Sequence, residues 1–208
     1  MYDYPTIDQL KAELDHEKYR RSYVRAMRST VYSLVTIAAV AVLVAVLLLP
    51  VLQIYGESMT PTLAEGEIVV SVKGARFETG DVIAFYYNNR VLVKRVIAAA
   101  GEWVDIDENG VVTVNGIVID EPYVSEPALG ECDIELPYQV PEGRVFVMGD
   151  HRSVSVDSRS TTIGCVAEEQ VVGKIVFRVW PMRAIGPVGE AEAQGGANSV
   201  PAQNPPEN

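Results

Sequence analysis

Basic charge is what this chain is short of: 17 Lys and Arg stand against 28 Asp and Glu, a formal net charge of -11. A nucleic-acid surface needs clustered cations to take the place of phosphate counterions, so that class of partner is excluded. Histidine and cysteine are also sparse, two of each. They make no His/Cys ligand cluster, and neither a metal nor an organic cofactor is implied. No repeat of solenoid period is present.

What is present is an uncharged run from Val31 to Leu52, long enough as a helix to cross a hydrocarbon core, which takes about 20 residues. Lys18, Arg20, Arg21, Arg25 and Arg28 crowd its N-terminal side, and by the positive-inside rule they place that end in the cytoplasm. A cleaved secretory signal would have a shorter apolar core and a small-x-small site after it. Leu49 to Tyr55 offers bulky residues instead, so the run reads as a permanent anchor. The two cysteines, Cys132 and Cys165, then lie on the exported side, where one disulfide could form; two free buried thiols are the alternative.

Four regions follow. Residues 1–29 form a cytoplasmic leader of helical character, 30–52 a transmembrane helix, 53–183 an extracytoplasmic domain, and 184–208 a tail too rich in Gly, Ala, Pro, Asn and Gln to fold alone. The exported domain is mainly β, an antiparallel sheet or barrel-like fold. Short β-branched runs recur at Glu67 to Val72, Asp81 to Tyr87, Arg90 to Ala98, Trp103 to Ile106, Val111 to Asn115, Arg144 to Met148 and Val171 to Trp180. Asn109-Gly110 and Asn115-Gly116 mark tight turns between them, and Glu121 to Pro141 reads as an irregular, proline-broken surface excursion.

Ser58 follows the apolar run by six positions, no more than about 20 Å of extended chain. A serine hydroxyl is a weak nucleophile until a neighbour takes its proton. The exported part offers His151 and three lysines, Lys73, Lys94 and Lys174. Lys94 lies in an apolar strand with Leu92 and Val96 on its own face. Desolvation there lowers an ammonium pKa from about 10.4 towards neutrality, and adjacent Arg95 adds like-charge pressure. A snorkelling Lys94 with its charge in water is the plain alternative. His151 with Asp81 or Asp150 and Ser58 could make a conventional triad instead.

Four blocks in this order resemble the type I signal peptidases, membrane-anchored proteases with a Ser-Lys dyad: Ser58-Met59-Thr60-Pro61-Thr62-Leu63, Gly80 to Phe85, Lys94-Arg95-Val96-Ile97-Ala98, and Gly149-Asp150-His151-Arg152 on to Asp157-Ser158-Arg159. The resemblance implies that Ser58 attacks the scissile carbonyl and Lys94 takes its proton. It further implies that Ser155 hydrogen-bonds and orients Lys94, and that Asp157 and Arg159 buttress the site through a salt bridge. Substrates would be signal-peptide-bearing preproteins cut after Ala-x-Ala, presented at a lipid bilayer. Leu52, Ile54, Met59, Val69, Ala84 and Val93 would line the pockets, with Gln53 to Glu57 and Val91 to Val93 pairing the substrate backbone. Gly56 stands where some members carry a serine that helps bind the oxyanion, which leaves the Ser58 N–H for that task. His151 replaces a common asparagine, and its role is open. A catalytically silent, membrane-tethered binding module is the rival from another class.

Overall fold

The computed structural model describes residues 6–188 and divides into two units, residues 1–48 and 49–208. The first is one helix, α1 (Ile7–Leu48), of 42 residues. No glycine or proline interrupts it, so leader and apolar run form a single rod rather than two elements. Ser29 to Leu48 carries no charge and as a helix measures about 30 Å. Its apolar side chains from Val31 onward are exposed rather than packed in a core. The helix stops at Leu48, short of the expected Leu52, because the residue before a proline is driven out of the α region and Pro50 follows. Val51 and Leu52 open the first strand instead.

The second unit is mainly antiparallel β. Its strands are β1 (Val51–Gln53), β2 (Ile68–Val72), β3 (Val82–Tyr87), β4 (Arg90–Ala98), β5 (Trp103–Ile106), β6 (Val112–Val114), β7 (Ile117–Val118), β8 (Tyr138–Gln139), β9 (Arg144–Met148), β10 (Val166–Ala167), β11 (Val171–Trp180) and β12 (Gly186–Pro187). An eight-stranded sheet runs β1-β2-β11-β3-β4-β9-β10 with β12 on β11, and a four-stranded sheet runs β7-β6-β5-β8. Among the described residues the strands thus form two antiparallel sheets, the mainly β fold expected from sequence.

Turn chemistry sets the hairpins. Asn88 and Asn89, at φ of 43° and 63°, join β3 to β4 in the two-residue form that positive φ permits. Asn115 and Gly116, at 54° and 78°, do the same between β6 and β7. At Asp107–Gly110 only the glycine is left-handed; there the Asp107 carboxylate accepts the N–H groups of Asn109 and Val111 and sets the turn from its own side chain.

Three buried clusters fill the domain. One joins the second sheet to β9 through Val104, Ile106, Phe146 and Met148. A second, with Ile54, Met59, Leu63, Val69 and Ala84, lies beneath the Ser58 turn. A third packs Ile83, Phe85, Val96 and Val147 on the face of β4 that carries Lys94. Cys132 and Cys165 are both free. The disulfide considered from sequence is therefore not formed; Cys165 belongs to the first cluster, where burial pushes its thiol up to about 11. Beyond Ala184, where the tail was expected to begin, Gly186–Pro187 still pairs with β11; the remainder of the tail, 189–208, lies outside the described residues.

Candidate active site

Ser58 occupies the second position of a turn, Glu57–Thr60, closed by the Thr60 N–H on Glu57 O at 3.1 Å. The turn follows directly from β1, which lies at one edge of the large sheet. Lys94 is the fifth residue of β4, paired across to Ile83 of β3. Lys94 Nζ lies 2.6 Å from Ser58 Oγ. The lysine is only 4% exposed, and burial is the main cause that lowers its ammonium from 10.5 to about 8. Asp157 and Asp150 pull the value back up, while Arg159 pushes it down.

The cation that presses on Lys94 is therefore Arg159, not the adjacent Arg95. Strand alternation sends Arg95 to the opposite face, where Nε and Nη2 reach Asp150 at 2.9 and 2.6 Å. Arg95 also donates to Gly80 O and Thr62 Oγ1, and its guanidinium lies 3.8 Å from the Tyr123 ring centroid.

Asp157 and Arg159 are both wholly buried. They pair through two bonds of 2.8 Å, Nε to Oδ1 and Nη2 to Oδ2, the salt bridge implied by resemblance. Arg159 then donates to the carbonyls of Leu129, Arg152 and Ser155, and Asp157 accepts the Gly149 N–H. Ser155 departs from expectation: its hydroxyl donates to Asp157 Oδ2 at 2.7 Å and makes no bond to Lys94. A carboxylate at the end of the same short loop is the stronger acceptor, so Ser155 joins the buttress rather than the base.

His151 does not reach Ser58 Oγ. Its Nδ1 lies 3.1 Å from Thr60 Oγ1, and its backbone N–H donates to Ser58 O at 3.1 Å. Of its supposed triad partners, Asp81 pairs with Lys174 and Asp150 with Arg95.

A cleft of about 690 Å³ opens over the pair, walled by β1 and its following turn on one side and Arg90 to Lys94 on the other. Leu52, Gln53, Ile54, Met59 and Val93 line it as expected. Val69 and Ala84 do not: both are at 0% exposure in the cluster below. Val69 pairs with Leu52 across β1 and β2, so it supports the wall without forming it. Gly56 also lines the cleft, with φ +80° and nothing within 4 Å of where a Cβ would stand. Among the described residues the Ser58 N–H has no acceptor.

How the Glu121 to Pro141 segment serves the site is not legible in the local pattern of residues. Glu121 forms an ion pair with the buried Arg152, Tyr123 covers Arg95, and the Leu129 carbonyl accepts from Arg159. The excursion is thus fixed by Arg95, Arg152 and Arg159, a long-range arrangement that local pattern does not carry.

Residues 27–180 match the family described as signal peptidase, peptidase S26. Signal peptidase IB of Staphylococcus aureus (strain COL) is 39% identical over 148 residues, which cover 62% of this chain and 76% of the relative. Thylakoidal processing peptidase 1, chloroplastic, of Arabidopsis thaliana is 38% identical over 141 residues, 60% of this chain but 40% of the relative's length. A crystal structure of a signal peptidase I from Enterococcus faecalis V583 aligns with a TM-score of 0.40 at 28% identity, covering 48% of this chain and 97% of that one.

Proposed function

The chain belongs to the signal peptidase family, peptidase S26, a family of serine peptidases, and on that premise we propose that it removes signal peptides from exported preproteins with a Ser58–Lys94 dyad. The observation that carries this reading is Nζ at 2.6 Å from Oγ in a site dry enough to hold the ammonium near 8. At pH 7 about a tenth of such lysines are neutral, against fewer than about one in a thousand for an unperturbed one.

The neutral amine accepts the Ser58 proton as Oγ attacks the scissile carbonyl carbon. The Ser58 N–H stands free to receive the oxyanion, and Gly56 beside it has no side chain to add a second donor. Collapse of the tetrahedral species sends the Lys94 proton to the leaving amine and leaves an ester on Ser58. Lys94 then deprotonates a water that hydrolyses the ester, and the enzyme returns to its starting state.

Substrate would enter as an extended segment between β1 and the first half of β4. Both edges are available: β1 pairs only with β2, and β9 pairs with β4 only from Arg95 onward. An added strand takes its main-chain hydrogen bonds from such edges. The apolar, shallow wall formed by Leu52, Ile54, Met59 and Val93 suits small side chains, consistent with Ala-x-Ala. The uncharged 20 residues of α1 would anchor the chain in the bilayer, with the basic residues before them in the cytoplasm and the β domain outside.

The test is cleavage of an Ala-x-Ala preprotein by the full chain in detergent micelles. Ser58→Ala and Lys94→Ala should each abolish it while His151→Ala still cuts. Turnover by Lys94→Ala with loss in His151→Ala would replace the dyad by a serine-histidine site. A folded wild-type chain that cuts no such substrate would favour a binding module.

A further inference from the structure

We propose that His151 is a positioning residue for the nucleophile, acting through Thr60: it holds the Glu57–Thr60 turn so that Ser58 Oγ stays on Lys94 Nζ. This rests on the dyad reading above.

The turn needs a brace. Tyr55, Gly56 and Glu57, on its upstream side, are exposed, so nothing packs Ser58 in place from there. On its other side the loop of residues 149–159 presses close: a Cβ at Gly149 would stand 2.4 Å from Ser58 O and 2.3 Å from Ser155 Oγ. Two residues later His151 meets the turn at two points, through its N–H on Ser58 O and its ring on Thr60 Oγ1.

The direction of these bonds is fixed by proton counting. Thr60 has one hydroxyl proton, and it donates to Glu57 O at 2.8 Å. The 3.1 Å contact with Nδ1 then requires the ring nitrogen to be the donor. The relay runs His151 Nδ1–H to Thr60 Oγ1, and Thr60 O–H to the Glu57 carbonyl. Glu57 is bonded directly to Ser58, so a loop residue reaches across the site to the peptide unit that orients the nucleophile. The Nδ1–H tautomer leaves Nε2 an acceptor, but the hydrogen-bond partner of Ser58 Oγ is Lys94 Nζ, and the ring's contact with the turn is to Thr60.

Removing the brace loosens reacting geometry without removing substrate contacts, since neither His151 nor Thr60 lines the cleft. Steady-state kinetics on a signal-peptide substrate read this directly. His151→Ala and Thr60→Val should each lower kcat roughly tenfold with KM unchanged, and the double variant should be no slower than either single one. His151→Asn should recover most of the loss, because its amide nitrogen stands as many bonds from the backbone as Nδ1 does. His151→Gln, one bond longer, should not, and it keeps a polar side chain should the alanine variant fold poorly. Thr60→Ser, which keeps the hydroxyl, should stay near wild type. Additive losses, a change in KM alone, or asparagine as slow as alanine would overturn the proposal. If instead His151→Asn were as inactive as Ser58→Ala, the dyad reading itself would fail.

Discussion

Lys94→Met should make the protein more stable at neutral pH while abolishing its activity. Methionine keeps the unbranched chain but carries no charge. The ammonium is lowered from 10.5 to about 8 by folding, which corresponds to about 3 kcal/mol of unfavourable free energy when it is protonated. Loss of the contact with Ser58 offsets about 1 kcal/mol, leaving a gain of about 2 kcal/mol at pH 7. The gain depends on pH in a defined direction. Between about 8 and 10.5 the unfolded chain holds the lysine proton and the folded chain does not, so wild-type stability rises with pH across that window. By pH 10 the burden of the buried charge has fallen to about 1 kcal/mol, no more than the lost Ser58 contact, and the advantage of methionine should have vanished. Denaturant unfolding of the full chain in micelles, followed by the fluorescence of Trp103 and Trp180, measures both values. A methionine variant less stable than wild type at pH 7, or a difference that does not shrink towards pH 10, would refute the premise that Lys94 is held in a desolvated site.

Other outcomes follow from the same contacts. Asp157→Asn should destabilise the domain by about 3 kcal/mol, because it leaves Arg159 buried without its anion; it should also shift the acidic limb of activity to lower pH, since Asp157 is the largest influence raising the Lys94 value. Arg95→Met should be comparably destabilising, because it leaves Asp150 buried without its cation, which denaturant unfolding would show. Val69→Ala should lower stability by about 2 kcal/mol with little change in cleavage-site choice, whereas Leu52→Trp, which fills the cleft wall, should raise KM for Ala-x-Ala substrates.

Much of this was legible along the chain. β-branched runs gave seven strands to within a residue or two, because alternation in a half-buried sheet is a local signal. Ser58 and Lys94 could be nominated because few residues after the apolar run are basic enough to serve as a partner. Alternation also contained the reason that Arg95 cannot press on Lys94, since neighbours on a strand face opposite ways, and proximity in sequence misled there. Val69 and Ala84 have the chemistry of a pocket wall, but only the pairing of β1 over β2 decides that Leu52 takes that place. The buried arginines were the least legible. Arg152 pairs with Glu121 across 31 residues and Arg95 with Asp150 across 55; in sequence the first stands in what resembles a solvated charged loop and the second in an apolar strand. Thr60 was hidden for the same reason: its partner, His151, is 91 residues away.

The central claim is that Lys94, uncharged, is the base for Ser58. The pH dependence of kcat/KM on a signal-peptide substrate tests it most directly, since it reports the essential base of the free enzyme. The account predicts an acidic limb centred near pH 8, falling about tenfold per pH unit below it and unmoved by His151→Asn. A limb centred near the ordinary histidine range and lost in that variant, or a flat profile from pH 6 to 10, would contradict it.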